Sequence, residues 1–209
     1  LSISTGYLDQ DRNIQPLDSK TVNDMMGLVE WYSTKGMRVL GITHKYLPSG
    51  KTEFTEADEC DLIIAGFLVF TDPVKPTAKK AIEDMREYGI TVKVLTGDNE
   101  YVSRHVCDQI GIPTENILVG PQIDGMSDDE LKEVVENTSI FARLSPDNKS
   151  RVVLALKANG HTVGVMGDGI NDVVAMKNAD VSISVDTGTD IAKETASMIL
   201  LVKDLGVLK

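Results

Sequence analysis

From residue 63 onward, short apolar runs alternate with segments whose apolar residues recur at helical spacing. The runs predict strands at 63–70, 91–95, 117–119, 139–142, 162–166, 181–185 and 198–201. Strands that are apolar along their whole length, each followed by a helix, are typical of a parallel sheet covered on both sides. The pattern therefore predicts a doubly wound, Rossmann-like α/β domain. Ligands of such domains bind beyond the carboxyl ends of the strands, so candidate functional residues lie just after each strand.

The first part of the chain has a different pattern. Apolar Val22, Met25, Met26 and Val29 predict a helix over about 19–35, which Gly36 ends, and a strand over 38–43 follows. The segment Pro-Ser-Gly at 48–50 predicts a turn, and the acidic stretch 53–61 predicts a loop or an edge. We expect residues 1–63 to form one domain and residues 64–209 to form another.

Charge and composition exclude several classes of protein. The formal net charge of −11 disfavours broad binding to nucleic acid or to anionic membrane surfaces, because both carry negative phosphates. Cys60 and Cys107 are the only cysteines, and their separation suggests neither a zinc site nor a disulfide framework, so we expect a reducing, cytoplasmic setting. The longest mainly apolar run, 62–70, has about half the length that a membrane-spanning helix needs. The chain begins with Leu1 and has no signal-peptide pattern, and we expect a soluble piece of a longer protein.

Two loops after predicted strands have the residue types of a phosphate and metal site. In the segment 96–99 (TGDN), the Thr96 hydroxyl and the amides of a turn containing Gly97 form an anion-binding arrangement, although Asp98 or Asn99 acting only as a helix cap is the alternative. In the segment 167–172 (GDGIND), two carboxylates and an amide come within one turn of chain. Such hard oxygen ligands suit Mg²⁺ held against a phosphoryl group, and a purely structural turn is the alternative.

Two further strand ends complete this set of candidate residues. In the segment 141–149 (FARLSPDNK), Ser145 is suited to cap a helix that starts at Pro146, and Lys149 then lies near the same sheet edge. This lysine would neutralise phosphoryl charge, or it is simply a solvated surface group. The segment 70–77 (FTDPVKPT) also follows a strand, and a proline-rich turn is its alternative interpretation. Thr, Asp, Lys and a metal-type Asp cluster at strand ends together point to phosphoryl transfer.

These elements, in this order, resemble the P-type ATPases, the cation pumps within the haloacid-dehalogenase-like superfamily. The segments 96–98 (TGD), 72–75 (DPVK) and 167–172 (GDGIND) are similar to the motifs TGD, DPx(R/K) and GDGxND of that family, and the resemblance spans nearly the whole chain. It implies that residues 1–63 are the C-terminal part of an α+β nucleotide-binding domain. It also implies that residues 64–209 are the larger, C-terminal part of the phosphorylation domain.

The resemblance assigns roles to individual residues. It implies that Asp168 binds Mg²⁺, that Asn171 and Asp172 shape this site, with Asp172 as a second candidate ligand, and that Thr96 and Lys149 hold the phosphoryl group. The residues matched to the nucleotide site and the hinge are Arg38, Asp72, Gly97, Asp98 and Arg143. The implied cofactors are Mg²⁺ and ATP. The implied partners are the transported cation and the actuator and membrane domains of a pump, with this part at the cytoplasmic face of the membrane and no nucleic acid bound.

The sequence also departs from the family pattern. The 209 residues contain no DKTGT segment, which bears the phosphorylated Asp of the family, and no KGA segment of the adenine pocket. We therefore expect no phosphoenzyme from this chain alone and a gap in the sheet where the strand bearing that Asp would lie. The segments 183–186 and 199–205, together with Lys75, look most like the magnesium-transporting branch, with a calcium or other cation pump as the alternative. A non-phosphorylating nucleotide- or Mg²⁺-binding module remains a further alternative. A self-contained phosphatase of the same superfamily, which would need a DxDx nucleophile motif at the end of an early strand, is the least favoured alternative.

Overall fold

The computed structural model describes residues 1–47, 49–53, 55–202 and 204–208, which form two compact units, Leu1–Asp72 and a second unit that begins at Pro73. The helices are α1 Ser19–Thr34, α2 Ala78–Glu87, α3 Glu100–Ile110, α4 Gly120–Asp124, α5 Asp128–Val135, α6 Pro146–Ala158, α7 Val173–Asn178 and α8 Asp190–Thr195. The strands are β1 Ser4–Leu8, β2 Ile14–Pro16, β3 Met37–His44, β4 Leu62–Thr71, β5 Val94–Leu95, β6 Ile117–Val119, β7 Ile140–Ala142, β8 Gly164–Met166, β9 Val181–Val185 and β10 Met198–Leu200. Single turns of 3₁₀ helix lie at 56–58, 170–172 and 205–208.

The first unit is a four-stranded mixed sheet with one helix. Its strand order is β2-β1-β4-β3, and β4 pairs antiparallel with β3 and parallel with β1. Helix α1 begins where the Asp18 carboxylate accepts a hydrogen bond from the Thr21 amide at 2.7 Å, and Gly36 follows its end with a φ of 76°. The predicted helix and the strand after it are confirmed. Pro48, in the predicted turn, lies outside the described residues.

The predicted domain boundary does not coincide with the division of the structure. The sequence placed the strand at 63–70 in the second domain, but β4 pairs with β3 from His44↔Ile63 to Met37↔Thr71. Because this pairing holds all of β4 in the first sheet, the compact units divide between Asp72 and Pro73 rather than near residue 63. An uninterrupted apolar run looks the same in a mixed sheet as in a parallel one, which is why the pattern misassigned it.

The second unit contains two parallel sheets of three strands each, in the orders β5-β7-β6 and β10-β9-β8. Among the described strands, β5 pairs only with β7 and β8 pairs only with β9. The parallel α/β pattern is confirmed, whereas the doubly wound arrangement of one sheet stays a prediction.

The core of the second unit lies on both faces of the β5-β7-β6 sheet. Ile140 packs in a cluster with Ile82 and Cys107, while the next residue, Phe141, packs in a second cluster with Leu131 and Val152. Successive residues of a strand point to opposite faces, so helices cover this sheet on both sides. Packing on both faces holds β7 in place, and this also positions the loop that follows it at residue 143.

Candidate functional site

A cavity of about 390 Å³ in the second unit brings together four residues that the sequence singled out. Thr96 follows β5, Lys149 lies in the first turn of α6, Asp168 follows β8, and Asp172 ends the 3₁₀ turn after it. The apolar residues that line the same cavity include Leu95, Met166, Val185, Leu200 and Leu205. The cavity therefore lies at the carboxyl ends of strands from both sheets of this unit, where the strand pattern predicted a ligand site.

Backbone hydrogen bonds hold the loop of Thr96 against the loop that follows β7. The Thr96 amide donates to the Phe141 carbonyl at 2.9 Å, and the Leu144 amide donates to the Thr96 carbonyl at 3.0 Å. The Thr96 hydroxyl accepts from the Asp98 amide at 3.0 Å, and Asn99 caps α3 by accepting from the Val102 amide. The cap that was considered as an alternative is therefore present, and Thr96 still lines the cavity beside it.

Lys149 and Asp172 form an ion pair inside the cavity. The Lys149 ammonium donates to Asp172 Oδ1 at 2.6 Å, and only 11% and 19% of the two side chains are exposed. The predicted start of α6 is confirmed, because Ser145 Oγ accepts from the Asn148 amide and Pro146 is the first helical residue. A buried lysine held by a carboxylate is not a solvated surface group, so that alternative for Lys149 is excluded.

The glycine at 167 allows Asp172 to pack closely against the turn that contains Asp168. A Cβ on Gly167 would lie 2.8 Å from Asp172 Cγ, which is closer than atoms pack, so only glycine lets Asp172 sit against this turn. The Gly167 amide donates to the Ile183 carbonyl at 3.0 Å, which ties the turn to β9. Asp168 is exposed at the rim, and its backbone carbonyl accepts from the Thr189 amide at 2.9 Å.

Arg143 lies beside the Thr96 loop in a left-handed backbone conformation, with a φ of 51°. Its amide donates to the Asp98 carbonyl at 2.7 Å. Its guanidinium makes a two-pronged ion pair with Glu100, with Nε 2.6 Å from Oε2 and Nη2 3.2 Å from Oε1. A non-glycine residue in this conformation is uncommon and costs free energy, so the surrounding hydrogen bonds must hold it there.

The other predicted site residues do not line the cavity. Gly97, Asp98 and Asn171 lie within two residues of lining residues in the sequence but are not among those that line the cavity. Arg38 is an exposed residue of β3 that pairs with Phe70 in the first unit. Asp72, also exposed, ends that unit.

Two charged residues that were not proposed as site residues also line the cavity, Lys75 and Asp204. Lys75 belongs to the DPVK segment, whose lysine was noted only as a sign of the transported ion. Asp204 comes a few residues after β10, so the rule that placed the other candidates after strands could have found it.

Neither a dense metal cluster nor a membrane helix occurs in the part of the chain that the structure describes. No group of three His, Cys, Asp or Glu side chains there is arranged to hold a metal ion. No described helix combines the length and the apolar character that crossing a bilayer requires.

Comparison with known proteins gives one family model and a set of relatives. The family model of haloacid dehalogenase-like hydrolases matches residues 7–180. The chain is 44% identical over 196 residues to a magnesium-transporting ATPase, P-type 1, of Escherichia coli (strain K12), which covers 94% of this chain and 22% of that protein. It is 50% identical over 187 residues to a protein of the same name from Salmonella typhimurium (strain LT2), covering 88% of this chain and 21% of that protein.

A calcium-transporting ATPase 1 of Lactococcus lactis is 34% identical over 192 residues, which covers 91% of this chain and 22% of that protein. The chain thus spans about a fifth of the length of these relatives. Its similarity to them runs through both compact units, while the family model matches 174 of the 209 residues, well over half of the chain. On these grounds, the chain belongs to the haloacid dehalogenase-like hydrolase family and resembles one segment of the P-type cation-transporting ATPases.

Proposed function

We propose that this chain is the cytoplasmic ATP-hydrolysing portion of a P-type ATPase, which couples an aspartyl-phosphate cycle to cation transport across a membrane. In this proposal, residues 1–72 close the nucleotide-binding domain and the second unit is the larger part of the phosphorylation domain. The observation that carries the proposal is the meeting of Thr96, Lys149, Asp168 and Asp172, from three separate segments, in one cavity. Few chemistries other than phosphoryl transfer need this set of groups.

Thr96 and Lys149 hold the phosphoryl group in this mechanism. The ammonium of Lys149 is a positive charge in a mostly buried position, where its interaction with a phosphoryl oxygen is weakened less by water. The Thr96 hydroxyl accepts from the Asp98 amide, and its own hydrogen is then available to donate to a second phosphoryl oxygen. The ion pair with Asp172 keeps Lys149 in place before any ligand arrives.

Asp168 and Asp172 would hold Mg²⁺, and Asn171 would shape the turn between them. Asp172 Oδ1 accepts from Lys149 and its Oδ2 accepts from the Gly169 amide at 3.4 Å, so Asp168 would be the direct ligand and Asp172 the second candidate ligand. Mg²⁺ sites on phosphates commonly use only one or two carboxylates, with water and phosphate oxygens completing the shell, so this donor set fits the ion. When bound, Mg²⁺ neutralises charge on the phosphoryl oxygens.

The nucleotide is held by the remaining residues of the proposal. Arg38 and Arg143 contact the bound ATP, Gly97 and Asp98 belong to the nucleotide site, and Asp72 is an acid of the hinge. The guanidinium of Arg143 is about half exposed and already binds a carboxylate through two nitrogens, the geometry that also suits a phosphate.

The phosphorylated Asp lies outside residues 1–209 in this proposal, as do the actuator and membrane domains. The first unit has no KGA segment, so this chain has part of the nucleotide site. We expect the chain alone to form no acid-stable phosphoenzyme with ATP and Mg²⁺.

We propose Mg²⁺ as the transported cation. Two relatives named magnesium-transporting ATPases are 44% and 50% identical to this chain, whereas the calcium-transporting relative is 34% identical. The ion is selected in membrane segments outside this chain, so transport by the complete protein must decide between Mg²⁺ and Ca²⁺.

Calorimetry on the chain tests the Mg²⁺ site. We expect roughly millimolar binding that Asp168→Asn weakens, because one carboxylate ligand is lost at nearly constant size. Asp108→Asn, which removes an exposed carboxylate of α3, is the matched control and should leave binding unchanged. Equal binding by wild type and Asp168→Asn contradicts the assignment. A phosphoenzyme formed by the chain alone contradicts the claim that the reactive Asp lies elsewhere.

A further inference from the structure

Asn148, the residue before Lys149, is a buried side chain whose amide makes contacts in two directions. Only 3% of Asn148 is exposed. Its Oδ1 accepts from the Ser145 amide at 3.1 Å, which completes the N-terminal cap of α6. Its Nδ2 donates to Asp124 Oδ1, at the end of α4, at 2.6 Å. The second contact is not part of the cap, because the cap needs only Oδ1.

The packing around Asn148 leaves α6 little freedom to move relative to α4. A Cβ on Gly120, the first residue of α4, would overlap the Arg143 carbonyl and would lie 3.0 Å from Asn148 Oδ1. The backbone at Gly120 therefore packs directly against the backbone at Arg143, and the side-chain amide of Asn148 lies beside this contact. A short hydrogen bond to a carboxylate is among the stronger polar contacts in a protein. Asn148 therefore fixes the position of the first turn of α6 relative to the end of α4.

Lys149 takes its position from this start of the helix. Its amide donates to the Ser145 carbonyl at 3.1 Å, and its ammonium reaches Asp172 at 2.6 Å. A shift of α6 along its axis would move the ammonium relative to Asp172 and to any anion in the cavity. Misplacement of a charged group by about 1 Å is enough to weaken its action strongly.

We propose that Asn148 and Asp124 are positioning residues that set the location of the Lys149 ammonium through their hydrogen bond. The inference rests on the proposed function, in which Lys149 binds the phosphoryl group. Neither residue lines the cavity, so both act through Lys149 rather than on a ligand.

A charge swap separates this contact from the cap. Asn148→Asp keeps an oxygen that accepts from the Ser145 amide, but it places two carboxylates against each other. Asp124→Asn keeps an acceptor for the Asn148 amide. The double variant restores the hydrogen bond with donor and acceptor exchanged. The positioning role predicts that Asn148→Asp is impaired, that Asp124→Asn is close to wild type, and that the double variant is rescued.

The matched control is at the other end of the same helix. Asn159 Nδ2 donates to Glu136 Oε1 at 2.6 Å, so Asn159→Asp also sets two carboxylates against each other, at the C-terminal cap of α6. If the effect on Lys149 were only loss of helix stability, both aspartate variants would show it. The positioning role predicts that Asn148→Asp alone changes the environment of Lys149.

Two NMR readouts on the labelled lysine side chains test the proposal, with the Lys149 signal assigned by its loss in Lys149→Arg. Without ligand, the Lys149 signal should shift in Asn148→Asp, keep its wild-type position in Asn159→Asp, and return in the double variant. In a titration with inorganic phosphate and Mg²⁺, Asn148→Asp should weaken binding about tenfold, the effect of losing one well-placed charged hydrogen bond.

The outcomes test the phosphoryl role of Lys149 and the positioning role of Asn148 and Asp124 separately. If phosphate does not move the Lys149 signal in wild type, the phosphoryl role of Lys149 fails, while the ligand-free readout still decides the positioning role. If Asn148→Asp leaves the ligand-free signal unchanged, or if Asn159→Asp shifts it equally, the positioning role is overturned. Failure of the double variant to restore the signal overturns it as well.

Discussion

The substitution Gly167→Ala should lower the stability of the second unit far more than Gly164→Ala, three residues earlier. A Cβ on Gly167 would lie 2.8 Å from Asp172 Cγ, whereas a Cβ on Gly164 would have the Val181 carbonyl as its nearest neighbour, at an ordinary 3.9 Å. Crowding of this kind costs about 2 kcal/mol. Displacing Asp172 also weakens its hydrogen bond with Lys149, which adds about 2 kcal/mol.

Reduced freedom of the unfolded chain offsets part of that cost, by about 0.7 kcal/mol. We therefore expect Gly167→Ala to lower the free energy of unfolding by about 3 kcal/mol, and Gly164→Ala to change it by less than about 1 kcal/mol. Chemical denaturation followed by far-ultraviolet circular dichroism is the assay, because the one tryptophan, Trp31, belongs to the first unit and its fluorescence does not report on the second. Equal stabilities of the two variants would refute the reasoning.

Three further predictions concern the second unit and the cysteines. Burial raises the pKa of the Cys107 thiol to about 11, so iodoacetamide at pH 8 should modify exposed Cys60 but modify Cys107 only in denaturant, as mass spectrometry would show. The Val163 amide donates to Asp180 and lowers the pKa of that carboxyl below its usual 3.8. The stability that this carboxylate contributes is thus complete above the unfolded pKa and is lost as pH falls through the lower folded value. In denaturation at a series of pH values, the advantage of wild type over Asp180→Asn should be present above about pH 5 and should shrink below about pH 4; a difference that is constant with pH would contradict this. Phe141→Ala, at a fully buried position of β7, should cost about 4 kcal/mol, and a loss below about 2 kcal/mol in the same denaturation assay would contradict the assigned core.

Much of the second unit follows from local sequence rules. The strands at 117–119 and 181–185 have the predicted bounds: the first is a short apolar run, and in the second β-branched residues alternate with serine. The helix beginning at Pro146 follows from a serine cap and a proline at the first position. Thr96, Lys149, Asp168 and Asp172 line one cavity, as expected of residues near the carboxyl ends of parallel strands, although these strands belong to two sheets.

What the sequence missed depends on contacts between distant residues. Pairing with β3 places β4 in the first unit, and no local feature of the run 62–71 encodes its partner. The strand predicted at 91–95 is only Val94–Leu95, because a strand lasts only as long as its neighbour pairs with it. The contact between Asn148 and Asp124 spans 24 positions, so neither residue stands out in the sequence.

Reading the gene on both sides of these 209 codons tests the central claim most directly. The proposal predicts one continuous reading frame that encodes a DKTGT segment upstream and long apolar helices on both sides. In the complete protein, that Asp should form an acid-stable phosphoenzyme with ATP and Mg²⁺. A start codon directly before Leu1 and a stop codon directly after residue 209 would contradict the account and would favour a non-phosphorylating binding module.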